Sequence, residues 1–448
     1  MKRKKIAVLL AMTVVGTAVL SGCGSSGNGK ESTKKEESAE KDGKINLSIA
    51  WWGNELRHEY TQELLEEYTK EHPNVTFTAS PTSWDGYWEK LATQTAGGNC
   101  PDIVQMDYAY IITYAQNKTL ADMQKFIDDG TIDVSNVEDS LVESGRIDGT
   151  LAGIPLSTSM LTYGYNPDVL AEAGVEIPTS DWTWDDFADI CKTVKEKTGK
   201  VGFGDNYVDC GILHYWIRQH GETFFNEDNT ALGFEDDQIL IDFMDYYKDL
   251  LDAGAMVSPD EWTQVSANPA EARLVPKNEA AIGYGSNTIA NMVKEVNDKI
   301  GLVTPPMADD GTKALWLKPG MYFSVSASAS EEKQKAAAEF INWFLNSQEA
   351  GAKIGTDRGI PASSTVREAL KSGEIGSIDQ KEKEMFDYYD VAAEVSGECP
   401  PPDPEGVSEI NKVYVDIMNK VFYGQSDSKE AAAQFREQVN KILAKNAK

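Results

Sequence analysis

Hydrophobic and polar residues alternate near residue 45 and then recur with helical spacing. Leu47, Ile49 and Trp51 are separated by single small or polar residues, a pattern that predicts a strand. Asn54 follows as a candidate helix N-cap. The next apolar residues share one helical face: Leu56, Tyr60, Leu64 and Tyr68. The segment therefore predicts a strand followed by an amphipathic helix.

The same rhythm repeats over the next fifty residues. Val75 to Ala79 predicts a second strand, a helix begins near Trp84, and Ile103-Val104 predicts a third strand. This alternation is typical of an α/β sheet with parallel strands. Ligands of such sheets bind beyond the carboxyl ends of the strands. We therefore expect site residues within 51–57, 83–88 and 105–110.

Three later helices have clear sequence boundaries. Thr183 is a candidate N-cap, and Asp186 completes a capping-box pattern with it. Residues 332–346 and 429–444 have the periodicity of amphipathic helices.

The N-terminus is predicted to be an export signal. Lys2 to Lys5 are basic, residues 6–20 are apolar, and Leu20-Ser21-Gly22-Cys23 resembles the bacterial lipobox. Residues 1–22 are thus predicted to be a lipoprotein signal peptide, with Cys23 acylated. The alternative is an ordinary secretory signal with an accidental cysteine. Residues 23–44 lack aromatic side chains and predict a disordered tether, so the mature protein would be extracytoplasmic and lipid-anchored to the cell membrane.

Composition argues against several partners. The 42 basic and 72 acidic residues leave a net charge of −30, which disfavours nucleic acid and anionic membrane surfaces. Metal binding is disfavoured because there is no CxxC pair and there are four histidines. No cofactor motif is present. Four cysteines follow Cys23, and both two disulfides and four free thiols are compatible with their spacing: Cys100, Cys191, Cys210 and Cys399.

Catalytic motifs are absent from the sequence. It contains no GxSxG, HExxH, Walker A or GxGxxG pattern. A secreted glycoside hydrolase needs two suitably spaced carboxylates, and with 72 acidic residues counting alone leaves that alternative open. The sequence nevertheless favours a protein without enzymatic activity.

Five stretches together resemble the extracellular solute-binding proteins of carbohydrate ABC transporters, the maltose-binding-protein-like group. They are Pro101-Asp102-Ile103-Val104 with 114–116 and 120–122, Asp148-Gly149-Thr150 with 153–155 and 165–168, Ala173-Gly174 with Pro178 and 183–187, Ala280-Ala281-Ile282-Gly283, and Ala338-Glu339-Phe340-Ile341 with 359–361. The resemblance covers about residues 45–445.

The resemblance implies an α/β, two-lobed periplasmic-binding-protein-like fold (type II) with a hinge that the chain crosses three times. By analogy, one lobe combines 45–157 with 306–360, and the other combines 161–302 with 365–448. A carbohydrate would bind in the cleft, the lobes would close over it, and the monomeric protein would deliver it to the membrane permease. Binding of another solute, such as a peptide or polyamine, is the remaining alternative.

Aromatic residues are the first candidates for holding a sugar. The chain has 10 Trp and 18 Tyr, and sugars pair an apolar C–H face with hydroxyls that need hydrogen-bond partners. Strand ends and the loops that the resemblance places at the cleft supply the candidates: Trp51, Trp52, Trp84, Asp85, Asp107, Tyr108, Asn206, Tyr207, Trp262, Tyr284, Asn287 and Trp316.

Arg57 is a further candidate because its position is unusual. It falls in the first turn of the predicted helix, where a cation opposes the helix dipole. A uronic-acid carboxylate would suit a bidentate guanidinium. A salt bridge to an internal carboxylate is the alternative explanation, and the sequence leaves both explanations open.

Overall fold

The computed structural model describes residues 43–205, 210–266, 268 and 270–446. The predicted signal peptide, Cys23, nearly all of the predicted tether, Asn206 and Tyr207 lie outside the described residues. The side chain of Asp85 is likewise outside the description.

Strands and helices are distributed along the whole of the described chain. The strands are β1 (Ile45–Trp52), β2 (Val75–Thr82), β3 (Ile103–Met106), β4 (Arg146–Ile147), β5 (Thr150–Leu151), β6 (Ile154–Ser159), β7 (Leu161–Tyr165), β8 (Val201–Phe203), β9 (Ala280–Ser286), β10 (Gly301–Val303), β11 (Leu315–Trp316), β12 (Lys318–Val325), β13 (Ile360–Pro361) and β14 (Ser396–Gly397).

The α-helices cover the sheets and connect their strands. They are α1 (Glu55–Glu71), α2 (Trp84–Ala96), α3 (Ile111–Gln116), α4 (Gln124–Asp128), α5 (Asp139–Glu143), α6 (Pro167–Ala173), α7 (Trp184–Thr198), α8 (Gly211–Gln219), α9 (Gln238–Asp252), α10 (Pro259–Val265), α11 (Ile289–Val293), α12 (Glu331–Asn346), α13 (Gln348–Ile354), α14 (Ser364–Ser372), α15 (Gln380–Glu394), α16 (Val407–Phe422) and α17 (Ser428–Leu443). Two 3₁₀ turns, Ala270–Ala272 and Ala444–Asn446, complete the set.

The larger sheet has six strands in the order β13-β6-β12-β3-β1-β2. β1 pairs in parallel with β2 and β3, as predicted. The sheet as a whole is mixed, because β12 runs antiparallel to β3 and β6, and β13 runs antiparallel to β6. β12 and β13 enter the sheet from distant parts of the chain, so the crossover helix that enforces parallel pairing does not constrain them.

The smaller sheet has four strands in the order β10-β7-β9-β8. β6 ends at Ser159 in the first sheet and β7 begins at Leu161 in the second, so the chain passes between the sheets across Met160. The lobe boundaries inferred from the resemblance stay a prediction.

Local sequence explains where the predicted helices begin. Asn54 Oδ1 accepts a hydrogen bond from the backbone N–H of Arg57 at 2.9 Å, and Thr183 and Asp186 form the predicted capping box of α7. Such caps contribute about 1 kcal/mol each. The predicted helices near 332–346 and 429–444 correspond to α12 and α17 and differ by about one residue at their ends.

The core of the larger sheet consists of the apolar residues that define its strands. Leu47, Ile49, Ile103 and Val104 are all inaccessible to solvent. Burial of each such side chain stabilises the fold by about 1.5–3 kcal/mol. These strands are therefore rigid supports for the loops that follow them.

Cys100, Cys191, Cys210 and Cys399 form no disulfide among the described residues. Among the described residues, no helix is both long enough and apolar enough to cross a membrane.

Candidate ligand-binding cavity

A cavity of about 460 Å³ lies between elements of the two sheets. This volume is within the usual range for small-molecule sites. Its lining comes from the ends of β3, β6, β9 and β11, the start of β7 and β12, α8, and the segment 400–411. The lining residues are Tyr108, Ser159, Met160, Leu161, Cys210, Gly211, His214, Phe224, Phe225, Tyr284, Gly285, Ser286, Trp316, Lys318, Pro400, Pro401, Asp403, Val407, Ile410 and Asn411.

Aromatic side chains line the cavity from both sheets. Tyr108 follows β3 of the larger sheet, and Tyr284 belongs to β9 of the smaller one. Trp316 ends β11, while Phe224 and Phe225 lie in the loop after α8. Apolar faces with hydroxyl and amide groups between them suit a ligand that carries both surfaces.

Trp316 is held in place by α8. The Arg218 guanidinium lies 5.4 Å from the indole ring and donates hydrogen bonds to the carbonyls of Ala314 at 2.9 Å and Glu398 at 2.7 Å. The imidazole of His214 lies 5.0 Å from the same indole, centroid to centroid. Trp316 is therefore a fixed surface before any ligand arrives.

His214 is a neutral member of the cavity. Burial, with a smaller contribution from the nearby Arg218 charge, lowers the pKa of its imidazole to about 3. Its ring therefore offers one donor and one acceptor at any ordinary pH.

Tyr108 connects the larger sheet to the segment that closes one side of the cavity. Its hydroxyl donates to the carbonyl of Pro400 and lies 3.5 Å from Cys399 Sγ. Burial raises the pKa of Tyr108 far above its ordinary value, so the phenol stays neutral. The Lys318 ammonium lies 5.5 Å from the phenol ring. Among the described lining residues, Lys318 is the one lysine, and none is arginine.

Of the predicted ligand residues, the structure brings Tyr108, Tyr284 and Trp316 together in this cavity. Asp107 is next to Tyr108 but does not line the cavity. Its carboxylate accepts a hydrogen bond from the Ala109 N–H at 2.8 Å, and burial raises its pKa.

Asn287 lies behind the cavity wall and is fully buried. Its Oδ1 accepts hydrogen bonds from Ser159 Oγ at 3.1 Å and from the Met160 N–H at 3.3 Å. The backbone N–H of Asn287 donates to the Met160 carbonyl. Asn287 therefore joins β9 to the point where the chain passes between the sheets.

The other predicted tryptophans do not line the cavity. Trp51 is fully buried in the core. Trp52 packs in an aromatic cluster that includes Trp84, which begins α2. Trp262 is buried on α10 beneath Arg273, whose guanidinium is 5.5 Å from the indole ring.

Arg57 also lies outside the cavity. Its Nε donates to Asp357 Oδ2 at 2.8 Å. This ion pair is the salt bridge to an internal carboxylate that was one of the two explanations for the position of Arg57.

Several lining residues were missed from the sequence. His214 lies on the hydrophobic helix α8, where a polar ring has no distinguishing pattern, and Phe224 and Phe225 lie in an irregular loop. Lys318 could have been found, because it is two residues beyond Trp316 and alternate residues of an extended segment share a face.

Comparison with known families decides the class of protein. Residues 63–377 match the family model described as bacterial extracellular solute-binding protein. The chain belongs to this family. The lactose-binding protein of Rhizobium radiobacter is 25% identical to this solute-binding protein over 356 residues, which are 76% of the present chain and 78% of the relative.

Two solved structures extend the likeness across the described chain. An extracellular solute-binding protein family 1 member from Alicyclobacillus acidocaldarius is 28% identical, with a TM-score of 0.78, and covers 90% of this chain and 100% of that one. A periplasmic oligogalacturonide-binding protein from Yersinia enterocolitica, in complex with saturated digalacturonic acid, is 25% identical. Its TM-score is 0.70 with the same coverage. The solute-binding protein therefore has the two-lobed α/β fold that the sequence predicted.

Proposed function

We propose that this solute-binding protein captures a carbohydrate in the cavity and delivers it to the membrane permease of an ABC importer. The observation that carries the proposal is the convergence of Tyr108, Tyr284 and Trp316 from separate strands on one cavity. Aromatic faces bind the C–H face of a sugar, and the polar groups between them bind its hydroxyls. The lactose and oligogalacturonide ligands named for its relatives are of the same chemical class.

The polar lining suits a ring of hydroxyl groups. Ser159, Ser286, Asn411 and neutral His214 combine donors and acceptors without a fixed charge. Such groups reject a molecule that lacks hydroxyls, because their own hydrogen bonds would be left unmade on binding.

An oligosaccharide that carries a uronic acid is the acidic variant of this proposal. Lys318 supplies a positive charge on the lining, and a carboxylate within reach of an ammonium gains a charge-assisted hydrogen bond. Asp403 adds a negative charge to the same lining. The cavity therefore also suits sugars that carry no carboxylate. Arg57, the cation first considered for this role, is paired with Asp357.

Delivery is proposed to follow from lobe closure. The lobes would comprise 45–157 with 306–360 and 161–302 with 365–448, and would rotate about segments near 157–161, 302–306 and 360–365. Closing would bury the sugar and create the surface that the permease recognises. Cys23 would carry the lipid that keeps the monomeric protein at the outer face of the cell membrane, close to the permease.

The protein is proposed to bind its ligand without altering it. Its relatives are named as binding proteins. Incubation with an oligosaccharide should leave the chain length unchanged, whereas a glycoside hydrolase would shorten it.

A thermal-shift screen tests the function directly. Lactose, neutral oligosaccharides and galacturonides are each mixed with the protein, with spermidine and peptides as controls, because a ligand that binds the folded state raises Tm. We expect stabilisation by a member of the sugar panel and none by the controls. Stabilisation by spermidine or peptide alone would refute the carbohydrate proposal.

A further inference from the structure

An exposed pair of aromatic side chains lies at the same edge of the six-stranded sheet as Tyr108. Trp84 is the first residue of α2, after β2, and Tyr110 immediately precedes α3, after β3. Their side chains are 42% and 37% exposed. The two ring centroids are 6.0 Å apart and the ring planes are inclined at 78°. Tyr423 is the other aromatic residue exposed to this degree within the described part of the chain.

Buried aromatic residues hold both rings in position. Trp88 stacks on Tyr110 with the centroids 3.8 Å apart and the planes at 7°. Trp52, which is 7% exposed, packs edge-on against Trp84 at 5.2 Å. The exposed rings therefore have little rotational freedom to lose when a ligand covers them, which lowers the entropic cost of binding.

The pair is close in the chain and in the sheet to Tyr108, which lines the cavity. Tyr108 lines the cavity and Tyr110 is two residues further along, so their Cα atoms are at most about 7 Å apart. The Tyr110 N–H donates to the Asp107 carbonyl at 3.1 Å and closes a turn between them. β3, β1 and β2 are neighbours in the sheet, so Tyr108, Trp52 and Trp84 lie at or just beyond the carboxyl ends of adjacent parallel strands.

We propose that Trp84 and Tyr110 form an outer subsite that binds the sugar units of an oligosaccharide extending from the cavity. This inference rests on the proposed carbohydrate function. Two aromatic side chains can cover about 150–250 Å² each, well below the area of at least about 1,000 Å² that a stable protein interface requires. An area of this size matches one or two sugar rings, whose C–H faces stack on aromatic surfaces.

The outer subsite makes affinity depend on the length of the sugar chain. A short sugar fills the cavity against Trp316 and does not reach Trp84. A longer chain contacts both, so each added unit over the outer subsite contributes to binding. The ligand class is therefore an oligosaccharide longer than the cavity holds.

Isothermal titration calorimetry with two sugar series tests the subsite. Galacturonides and neutral galacto-oligosaccharides, each from mono- to hexasaccharide, are titrated into the wild-type protein and into Trp84→Ala, Tyr110→Ala and Tyr423→Ala. We expect the first two variants to weaken binding of the longest bound sugar about tenfold and of the shortest bound sugar less than twofold. Tyr423→Ala is the matched control and should change neither.

A fold check keeps the result interpretable. Trp84→Leu retains apolar packing against Trp52 while removing the aromatic face, and should show the same length-dependent loss with an unchanged Tm. Equal losses for all lengths, or no loss, would overturn the subsite while leaving sugar binding intact. Wild-type protein that binds no sugar of any length would overturn the proposed function itself. Reduced cellular uptake with an unchanged length dependence would assign the pair to permease docking and overturn the subsite.

Discussion

The guanidinium of Arg57 is bound to Asp357, 300 residues further along the chain. Arg57 Nε donates to Asp357 Oδ2 and Nη2 donates to the Asp357 backbone carbonyl, both at 2.8 Å. The Tyr60 hydroxyl donates to the same carboxylate oxygen at 2.7 Å. Burial alone would raise the pKa of Asp357, but the hydrogen bonds from Arg57 and Tyr60 bring it below its usual value. The first turn of α1 is thereby joined to the segment that precedes β13.

Arg57→Ala is expected to lower stability and leave sugar affinity unchanged. The substitution leaves a half-buried carboxylate without its main partner, at a cost of about 1–3 kcal/mol in the free energy of unfolding. Urea denaturation and calorimetry measure the two quantities. Lys353→Ala is the matched control: Lys353 of α13 pairs with exposed Glu63 and partly exposed Glu67 of α1, so solvent screens these pairs and the loss of stability should be smaller. A large loss of galacturonide affinity in Arg57→Ala would instead place Arg57 at the ligand.

Trp316→Ala is expected to weaken sugar binding by about tenfold to a hundredfold. Truncation of a fixed aromatic surface at the centre of a site typically costs about 2 kcal/mol or more. Titration calorimetry measures the loss for sugars of every length. Trp262→Ala serves as the control, because that buried indole is outside the cavity and its removal should lower Tm without changing affinity. Unaltered binding by Trp316→Ala would show that the sugar lies elsewhere.

Lys318→Met is expected to discriminate between acidic and neutral sugars. Its ammonium lies 5.5 Å from the ring of Tyr108 on the cavity lining. Loss of a charge-assisted hydrogen bond should weaken galacturonide binding by about tenfold, while neutral oligosaccharides should lose less than twofold. The apolar stem of methionine preserves the packing of the lysine side chain. Equal losses for both series would mean that Lys318 does not meet a carboxylate.

Asp205 is expected to make stability fall as pH rises. Its carboxylate accepts the Tyr284 N–H at 3.0 Å, and burial raises its pKa to about 7, against a smaller lowering by Arg273. The native state thus retains a proton that the unfolded chain releases near pH 4. The stabilising contribution is complete below about pH 4 and is lost as pH rises through 7.

The matched variant isolates this effect from the other acidic groups. As pH is raised from 4 to 8, the free energy of unfolding of Asp205→Asn should increase by roughly 2–4 kcal/mol relative to that of the wild type. Urea denaturation at each pH measures this difference. Asp181→Asn is the control, because the Thr179 hydroxyl lowers the pKa of exposed Asp181. This variant should lose stability relative to the wild type as pH rises, which is the opposite direction. A stability difference between Asp205→Asn and wild type that does not vary with pH would contradict the assignment.

Strand residues illustrate how far the sequence could reach into the site. The pattern predicted that β1 ends near Trp51, and it does, at Trp52. Alternation places Trp51 and Trp52 on opposite faces of the sheet, and the structure buries both of them. Trp52 is covered by the aromatic residues of α2, including Tyr87 and Trp88. The sequence pattern of β1 alone does not predict this contact.

The sequence by itself determined the elements and the family. Alternation over β1, the cap at Asn54 and the capping box at Thr183 involve residues a few positions apart, so local physics is sufficient to specify them. The lining of the cavity and the partner of Arg57 were decided by tertiary structure. Tyr108, Trp316 and Pro400 come from distant parts of the chain, and Asp357 reaches Arg57 across 300 residues. Such contacts depend on how the sheets and helices pack, because a local pattern records which face a side chain occupies and not what lies opposite it.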